Sequence, residues 1–471
     1  MTPQPPSSSK HATDILIIGG GPAGIQAARL LKSKAPELDV LVLRPEPHSL
    51  VYCAVPYALE GLFPLTRTFK SDGLLTDIGV RLLRRAAKSI DPVEHRVVLD
   101  DGTSVEYGKL LVATGATPWR PPLPGLNLEN VYTIKSAADA ERILMRLCGD
   151  TGHDLALRAN NMAVDLHAVV IGAGAIGIEQ ATAYRARGAD VHLVEMQDHV
   201  LPHLIDADMA QALHEALDGL GVQLHLDARL EALRGEREVA EVSLRDGTVI
   251  QLQPERDMVL VAVGMMPDIG ILDPVSFTRT RDGLVVDERM RTQVPDVWSA
   301  GDCCAGWSGI DGEPLSGKLA TNAVPMAKVA ALDMLGLPAR YPGFFNGAVT
   351  VVGPWRVGGT GFTERFATSR GYDVFSTKAK TATRFPMMPG AGEVTVKLVL
   401  ERGSLRLLGA QVVGTEAVAE RIDLLTLAIQ QGLTAEQLAN LSYSAQPWQT
   451  FFPARNAIVD AAFQALERAG S

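Results

Sequence analysis

The sequence predicts an α/β protein built from two similar strand–turn–helix units, followed by a smaller α+β unit. The first unit is DILIIGGGPAGIQAARLL, where an apolar strand leads into a glycine-rich turn and an alanine-rich helix. The second, HAVVIGAGAIGIEQATAYRARGADVHLVE, repeats that pattern in the middle third of the chain. Towards the C-terminal end, TVKLVLERGSLRLLGAQVVG predicts two alternating strands around a turn at Arg402 and Gly403, and a helix follows over residues 417–430.

The composition is that of an ordinary globular chain. The 471 residues are 46% hydrophobic and 21% charged, with a formal net charge of -10. The charges are interspersed, which argues against a nucleic-acid partner, and no apolar run is long enough to cross a membrane. The N-terminal stretch MTPQPPSSSKHATD lacks the apolar core of a signal peptide. We therefore expect a cytoplasmic protein with a disordered tail over residues 1–13.

The glycines of the first turn fit the pattern GxGxxG. Gly19 allows the tight turn, Gly21 lets a pyrophosphate approach the backbone, and Gly24 lets the helix pack closely on the strand. The N-terminus of the helix, at Pro22 and Ala23, then faces the phosphates. This context predicts a Rossmann-like dinucleotide-binding domain.

The second turn has the same pattern. Its glycines are Gly172, Gly174 and Gly177, and its helix begins at Ala175 and Ile176. Glu195 ends the next strand, where an acid can hold both ribose hydroxyls of NAD; its alternative role is that of a solvated charge. No arginine follows closely, which disfavours NADPH. Two dinucleotides in one chain predict a flavin and a nicotinamide, here FAD and NADH.

Three further segments carry a family resemblance. They are KLLVATGATPWRPPLPG, MVLVAVGMMPDIGIL and TQVPDVWSAGDCC. Together with the two glycine turns, they resemble the pyridine nucleotide–disulfide oxidoreductase superfamily of flavoproteins. The resemblance implies FAD at the first turn and NADH at the second. It implies further cofactor contacts at Ala113, Thr114, Gly115, Gly264, Gly301, Asp302, Ala320 and Thr321.

One departure concerns the FAD ribose, which the family usually holds with a glutamate at the end of the second strand. Counting back from Cys53 places Leu43 there, followed by Arg44, Pro45 and Glu46. Either Glu46 replaces the acid from the loop or the ribose contact is lost. Arg44 and Glu46 are therefore candidate cofactor residues.

The resemblance also implies an order of domains. Residues 14–133 and 286–340 form the FAD-binding domain, and residues 134–285 form an inserted NAD(P)H-binding domain. Residues 341–471 form the α+β dimerisation domain, so we expect a homodimer.

A single cysteine follows the first unit, in SLVYCAVPYALEG. Cys53 has no partner for a CxxxxC pair, and it resembles the single-cysteine branch: coenzyme A-disulfide reductase, NADH peroxidase and water-forming NADH oxidase. The first turn carries no histidine, unlike the peroxidase and oxidase members, which favours the reductase. Gln446 precedes Pro447 where dihydrolipoamide-type enzymes have a catalytic histidine, and glutamine is no proton acceptor.

One cysteine requires an external sulfur or oxygen: a mixed disulfide, a persulfide or a sulfenic acid. The resemblance implies that Tyr443, in LSYSAQPWQTFFPARNAI, matches a tyrosine that the disulfide-reductase members place beside the cysteine from the partner subunit. We expect Cys53 and this Tyr443 to act on a small-molecule disulfide or persulfide, with CoA disulfide as the first candidate. Tyr57 is a second possible proton donor. The alternatives are an NADH oxidase, a shuttle to a protein such as a rubredoxin or lipoyl carrier, and a redox sensor.

Cys303 and Cys304 are adjacent, and a disulfide between them would strain the backbone, so we expect packing roles for both. Cys148 lies at a helix end and is expected to have no role. The spacing of the four cysteines does not suggest a zinc site.

Overall fold

The computed structural model describes residues 10–148, 165–273 and 275–470. The N-terminal part contains β1 (Lys10–Ile18), α1 (Pro22–Lys34), β2 (Val40–Leu43), β3 (Ser49–Leu50), α2 (Val55–Glu60), β4 (Phe69–Lys70), α3 (Gly73–Thr76), β5 (Arg81–Leu83), β6 (Ala87–Asp91), β7 (Arg96–Leu99), β8 (Ser104–Val112) and β9 (Ala116–Pro118).

The middle part contains β10 (Val131–Tyr132), α4 (Ala137–Cys148), β11 (His167–Ile171), α5 (Ala175–Ala186), β12 (Asp190–Val194), α6 (Gln211–Gly219), β13 (Val222–His225), β14 (Leu230–Arg234), β15 (Glu241–Leu244), β16 (Val249–Gln251), β17 (Met258–Val261) and β18 (Met265–Pro267). Next come β19 (Arg279–Thr280), β20 (Gly283–Leu284), β21 (Val297–Ser299) and α7 (Ala320–Met334).

The C-terminal part contains β22 (Ala348–Val352), β23 (Trp355–Gly361), α8 (Glu364–Ser369), β24 (Val374–Ala382), β25 (Glu393–Glu401), β26 (Leu407–Gly414), α9 (Ala419–Gln430), α10 (Ala435–Ala439) and α11 (Ala457–Ala469). The predicted strand pair and helix are confirmed as β25, β26 and α9, the helix beginning two residues later than expected.

Each glycine-rich unit belongs to its own sheet. The first sheet runs β5-β2-β1-β8-β7-β6, with β21 also paired to β8, and the second runs β10-β17-β11-β12-β13. The strands that surround each glycine turn are parallel, because each pair is joined by a crossover helix. The predicted α/β class with two Rossmann-like units is confirmed. The C-terminal sheet, β22-β23-β26-β25-β24, is antiparallel, and this confirms the α+β unit.

Two of the hydrophobic cores position the functional segments. The first lies between the first sheet and the helices α1 and α7. A second core joins Val55 and Leu59 of α2 to the second sheet and to Val352, Val357 and Val413 of the C-terminal sheet. Because α2 is anchored in this shared core, the segment in front of it is held at the junction of all three parts of the chain.

The limits of the predicted domains remain predictions, with one observation at the start of the chain. Strand β1 begins at Lys10, so residues 10–13, which we expected in the tail, pair with β8. Residues 1–9 lie outside the described residues. Across the described ranges, no helix is both long and apolar enough to cross a membrane.

Candidate active site

The two glycine turns have the same backbone geometry. The first glycine of each has positive φ, +117° at Gly19 and +101° at Gly172, a conformation that glycine adopts without steric cost. The third glycines are Gly24 and Gly177. A Cβ on Gly24 would lie 1.9 Å from the carbonyl oxygen of Gly19, and a Cβ on Gly177 would lie 1.8 Å from the carbonyl oxygen of Gly172. Close packing of helix on strand therefore requires glycine at these positions in both units.

The middle glycine of each turn faces open space. A Cβ on Gly21 or Gly174 would meet no atom within 4 Å. Each is also the N-cap of its helix, α1 or α5, and no side chain caps either helix. The free backbone N–H groups and the open space in front of them fit a pyrophosphate. The turns, with Pro22, Ala23, Ala175 and Ile176, can therefore hold one dinucleotide each.

The other predicted motifs converge on the first turn. A Cβ on Gly19 would lie 2.1 Å from the carbonyl oxygen of Ala113, which places the segment after β8 directly behind the turn. A Cβ on Gly301 would lie 3.3 Å from that of Ala23 and 3.4 Å from that of Ala323 in α7. Helix α7 begins at Ala320 and Thr321, both exposed and without a side-chain cap.

Two loops meet beside these motifs. Thr114 Oγ1 donates a hydrogen bond of 2.5 Å to the carbonyl oxygen of Asp268, whose N–H donates one of 2.9 Å to the carbonyl oxygen of Gly115. Gly115 and Gly264 both have positive φ, and a Cβ on either would meet open space. Burial, together with the charge of Glu46, raises the pKa of Asp268. The structure thus brings the segment after β8 together with the segment around β18, near the end of the inserted unit, in one cleft beside the first turn.

Glu195 follows β12 and lies against the second turn. It is buried, its Oε2 accepts the N–H of Ala173 at 2.8 Å, and its Oε1 accepts that of Gln197 at 2.9 Å. Each carboxylate oxygen has a second lone pair, so both can still accept a ribose hydroxyl. Its place beside the turn fits the predicted ribose-binding role.

The corresponding residue of the first unit is Arg44. The N–H of Gly19 donates to the carbonyl of Leu43 at 2.9 Å, and the N–H of Gly172 donates to that of Val194 at 2.7 Å. Leu43 is therefore equivalent to Val194, and Arg44 is equivalent to Glu195. Counting from Cys53 had assigned the acid position to Leu43, one residue too early.

Cys53 lies in a 3-10 turn, Tyr52–Ala54, that leads into α2, so the predicted position at a helix start is confirmed. All four cysteines of the chain are in its described part, and Cys53 is the exposed one. Cys303 and Cys304 are buried in the first core, and burial raises the pKa of the Cys304 thiol. Cys148, at the end of α4, is half-buried.

Several ionisable groups surround Cys53. Lys70 lies close enough for the thiolate charge to raise its pKa, although burial lowers that pKa more strongly. Tyr57 follows Cys53 by one helical turn. Burial raises the pKa of Tyr57, and the charges of Glu179, Glu60 and Cys53 raise it further, against the opposing charge of Arg356. An amine and a phenol that keeps its proton therefore both lie near the thiol.

Glu179 was missed by the sequence analysis. It lies on α5, two residues after Gly177, and its Oε1 accepts a hydrogen bond of 2.8 Å from the hydroxyl of Thr350 in β22. Burial raises the pKa of Glu179, and this hydrogen bond opposes the rise. The sequence did show a carboxyl group two residues after the glycine turn. Its hydrogen-bond partner, Thr350, is 171 residues away in sequence and could not be identified from it.

Tyr52 connects the cysteine segment to Asp302. The Nζ of Lys135 lies 4.6 Å from the centre of the Tyr52 ring and 3.6 Å from Oδ2 of Asp302. Partial burial raises the pKa of Tyr52, as do the charges of Glu46 and Asp302, while Arg44 opposes them. The segment of Cys53 thus lies next to the predicted flavin-binding motif.

Tyr443 lies in the loop between α10 and α11. Its hydroxyl donates a hydrogen bond of 2.6 Å to the carbonyl oxygen of Pro453, and its side chain is exposed. The aromatic side chains of Trp448 and Phe452 are also exposed on this loop. The described contact of the Tyr443 hydroxyl is thus within its own loop, so a role at Cys53 depends on a second subunit.

Comparison with known proteins supports the resemblance. Residues 13–327 match the family model described as pyridine nucleotide-disulphide oxidoreductase, and residues 348–450 match that family's dimerisation domain. A Methanocaldococcus jannaschii protein named NADH oxidase is 31% identical over 449 residues, which is 92% of this chain and 94% of that protein. A Pyrococcus horikoshii protein named NAD(P)H coenzyme A polysulfide/persulfide reductase is 30% identical over 448 residues, 91% of this chain and 94% of that protein.

A solved structure is also similar to this chain. The NAD-dependent persulfide reductase from A. fulgidus is 29% identical, with a TM-score of 0.88 over 97% of this chain and 84% of that chain.

Proposed function

The chain belongs to the pyridine nucleotide-disulphide oxidoreductases and is an NAD(P)H oxidoreductase that uses FAD; we propose that it reduces a low-molecular-weight disulfide or persulfide through Cys53. The observation that carries this proposal is the exposed Cys53 thiol at the junction of the three parts of the chain. The other thiols are buried or half-buried, so Cys53 is the one that a dissolved substrate can reach. It has no second cysteine beside it and must pair with an external sulfur.

The chemistry of a lone thiol can be balanced with a disulfide RSSR. The Cys53 thiolate attacks one sulfur, forming the mixed disulfide Cys53–S–S–R and releasing RS⁻, which takes up a proton. FAD, when bound, supplies the transfer of an electron pair from NADH to sulfur. That pair breaks the mixed disulfide, which releases the second thiol and restores the Cys53 thiolate. The sum is NADH + H⁺ + RSSR → NAD⁺ + 2 RSH.

The side chains near Cys53 suit these steps. Lys70 lies near the thiol and, when protonated, places a positive charge beside the thiolate, which is the attacking form of cysteine. The departing RS⁻ needs a proton, and Tyr57 and Tyr443 are the candidate donors. Tyr443 would act from the partner subunit of a homodimer, an arrangement supported by the match of residues 348–450 to the dimerisation domain.

The nucleotide choice follows from Glu195. Its buried carboxylate can accept the ribose hydroxyls of NADH but would repel the 2′-phosphate of NADPH. The names of two relatives, an NAD(P)H coenzyme A polysulfide/persulfide reductase and an NAD-dependent persulfide reductase, support a CoA-linked or other small sulfur substrate.

NADH oxidase is a second candidate, because the relative with 31% identity has that name. In that cycle O₂ would first take an electron pair from NADH and two protons to become hydrogen peroxide. The peroxide would oxidise the exposed Cys53 thiolate to a sulfenate and release water. An electron pair from NADH and two protons would then return the thiolate with a second water.

Steady-state turnover tests the proposal. NADH oxidation is followed with CoA disulfide, CoA persulfide or O₂ as the acceptor, for the wild-type protein, Cys53→Ser and the control Cys148→Ser. We expect activity with a sulfur acceptor that Cys53→Ser abolishes and Cys148→Ser retains. Activity with O₂ alone would favour the oxidase. Turnover with a sulfur acceptor that survives Cys53→Ser would contradict the route through Cys53.

A further inference from the structure

The two nucleotide-binding units differ at one position that their common geometry makes equivalent. In the second unit this position holds Glu195, whose carboxylate lies against the glycine turn. In the first unit it holds Arg44, because the backbone bonds from Gly19 and Gly172 align the two strand ends. The first unit therefore has a cation where the second has its ribose-binding acid.

The side chain of Arg44 does not enter the cleft. Only 2% of the residue is exposed, and its aliphatic stem lies under the glycine turn. A Cβ on Gly20 would be only 2.5 Å from Cδ of Arg44, so the stem fills the space that a larger residue at position 20 would need. The guanidinium group consequently points away from the nucleotide and towards the following loop.

Two guanidinium groups hold that loop. Arg44 Nε donates to the carbonyl oxygen of Glu46 at 3.0 Å, and Arg44 Nη2 donates to that of Pro47 at 3.1 Å. Arg84 Nη1 donates to the same two carbonyls, at 2.9 Å for Glu46. Asp72 pairs with both arginines, at 2.6 Å for Arg44. Charge-assisted bonds of this kind fix the path of residues 46 and 47.

These bonds use the backbone of Glu46 and leave its carboxylate exposed. The carboxylate acts electrostatically on two residues of the cleft, since it raises the pKa of both Tyr52 and Asp268. Tyr52 lies beside the Lys135–Asp302 pair, and Asp268 is bonded to the segment after β8. Glu46 follows Arg44 by two residues, so its loop leaves the end of the strand at the position equivalent to Glu195 of the second unit.

We propose that Glu46 accepts the adenosine-ribose hydroxyls of the dinucleotide at the first turn, and that Arg44 is a positioning residue that fixes the Glu46 loop. In the first unit, the carboxylate that binds the ribose thus lies on a loop whose backbone is held by arginine side chains. In the second unit, it lies at the end of the strand. Arg84 and Asp72 complete the clamp. This inference rests on the proposed function in one respect, the assignment of FAD to the first turn.

A double comparison of ligand and variant tests this contact. The full-length protein is stripped of flavin and titrated, by flavin fluorescence, with FAD and with an FAD analogue whose adenosine ribose lacks both hydroxyls. The wild-type protein should bind FAD about tenfold or more tightly than the analogue, as expected for hydrogen bonds to a charged group. Glu46→Gln should lose most of that ratio by weakening FAD binding and leaving analogue binding almost unchanged.

The control is Glu37→Gln, which removes an exposed carboxylate just before β2 and should keep the wild-type ratio. Arg44→Met should reduce the ratio as Glu46→Gln does, and the double variant should reduce it no further, because both changes remove one contact. A merely structural role of Arg44 would weaken FAD and analogue binding equally.

The outcomes separate this inference from the proposed function. An unchanged ratio in Glu46→Gln, or a wild-type protein that does not distinguish the two ligands, would overturn the ribose contact without affecting Cys53 chemistry. A wild-type protein that binds no FAD would overturn both. Loss of sulfur-linked turnover in Cys53→Ser has no bearing on the titration.

Discussion

The hydroxyl of Thr350 donates a hydrogen bond of 2.8 Å to the carboxyl group of Glu179. The bond joins the first strand of the C-terminal sheet to the helix that begins at the second glycine turn. Glu179 also raises the pKa of Tyr57, which follows Cys53 by one helical turn. A partly buried carboxyl thus connects the nucleotide turn, the C-terminal sheet and the segment of the thiol.

Glu179 should make stability depend on pH. Burial raises its pKa in the folded state, so the folded protein carries the cost of ionising it. This cost is absent below the ordinary pKa of glutamate and grows as pH rises through the folded-state value. Glu179→Gln should therefore raise Tm at neutral pH relative to the wild-type protein, with the gain shrinking towards pH 4 or so. Thermal denaturation at several pH values measures this difference in Tm, with Glu37→Gln as the control. A gain in Tm that does not depend on pH would contradict the ionisation cost of Glu179.

Two glycine substitutions in the first turn should have different effects, one on stability and the other on FAD binding. Gly24→Ala places a Cβ 1.9 Å from a backbone oxygen and should destabilise the protein by about 1–3 kcal/mol, as overpacking does. Gly21→Ala places its Cβ in open space and should leave the Tm of flavin-free protein unchanged while abolishing FAD binding. Differential scanning fluorimetry and flavin absorbance distinguish the two effects. Full FAD retention in Gly21→Ala would be inconsistent with a pyrophosphate at that turn.

Glu195 should determine the nucleotide preference. Glu195→Gln removes the negative charge and one acceptor oxygen, so NADH affinity should fall about tenfold and the preference for NADH over NADPH should narrow. The measurement is the ratio of kcat/KM for the two nucleotides. Because Glu195 also binds the N–H groups of Ala173 and Gln197, the Tm of the variant is the necessary control. An unchanged ratio with an unchanged Tm would refute the ribose contact.

Tyr443 should act across the subunit interface, which mixed dimers can test. Cys53→Ser and Tyr443→Phe are each expected to be inactive or strongly impaired as homodimers. In a mixed dimer, the intact Cys53 of one subunit meets the intact Tyr443 of the other, so one complete site returns. Differently tagged subunits allow the mixed dimer to be purified and assayed. If it is no more active than the parents, the role in trans is wrong.

The glycine turns were predictable because the backbone permits few alternatives there. Positive φ at Gly19 and contact with the Gly19 carbonyl oxygen at Gly24 leave almost no choice of residue, so the motif appears directly in the sequence. The position of Cys53 before a short helix was predictable for a similar reason. It lies close in sequence to the helix, and local spacing is sufficient.

Relationships between remote residues were not predictable. Thr350 and Glu179 are 171 residues apart in sequence, and only the packing of β22 on α5 brings them together. The equivalence of Arg44 and Glu195 depends on the register of two parallel pairs, Ile18 with Leu43 and Ile171 with Val194. Counting along a loop from Cys53 cannot establish register, and the count was wrong by one residue.

The start of β1 shows a different limit. Lys10 to Thr13 are polar or small and have no apolar alternation, so the sequence suggested a tail. In the structure they pair with Ser104 to Tyr107 of β8. Backbone hydrogen bonds to the neighbouring strand β8 extend β1 without requiring any particular side chains.

The central claim, that Cys53 forms a mixed disulfide with an external sulfur, is tested most directly by intact mass. The unreduced purified protein is compared with the same sample after a reducing agent, and with Cys53→Ser. We expect an adduct of a small thiol such as CoA, or of added sulfur, that the reducing agent removes and that Cys53→Ser lacks. A single added oxygen at Cys53 would favour the oxidase instead. A wild-type protein that remains free of any adduct even after incubation with CoA disulfide would contradict the claim.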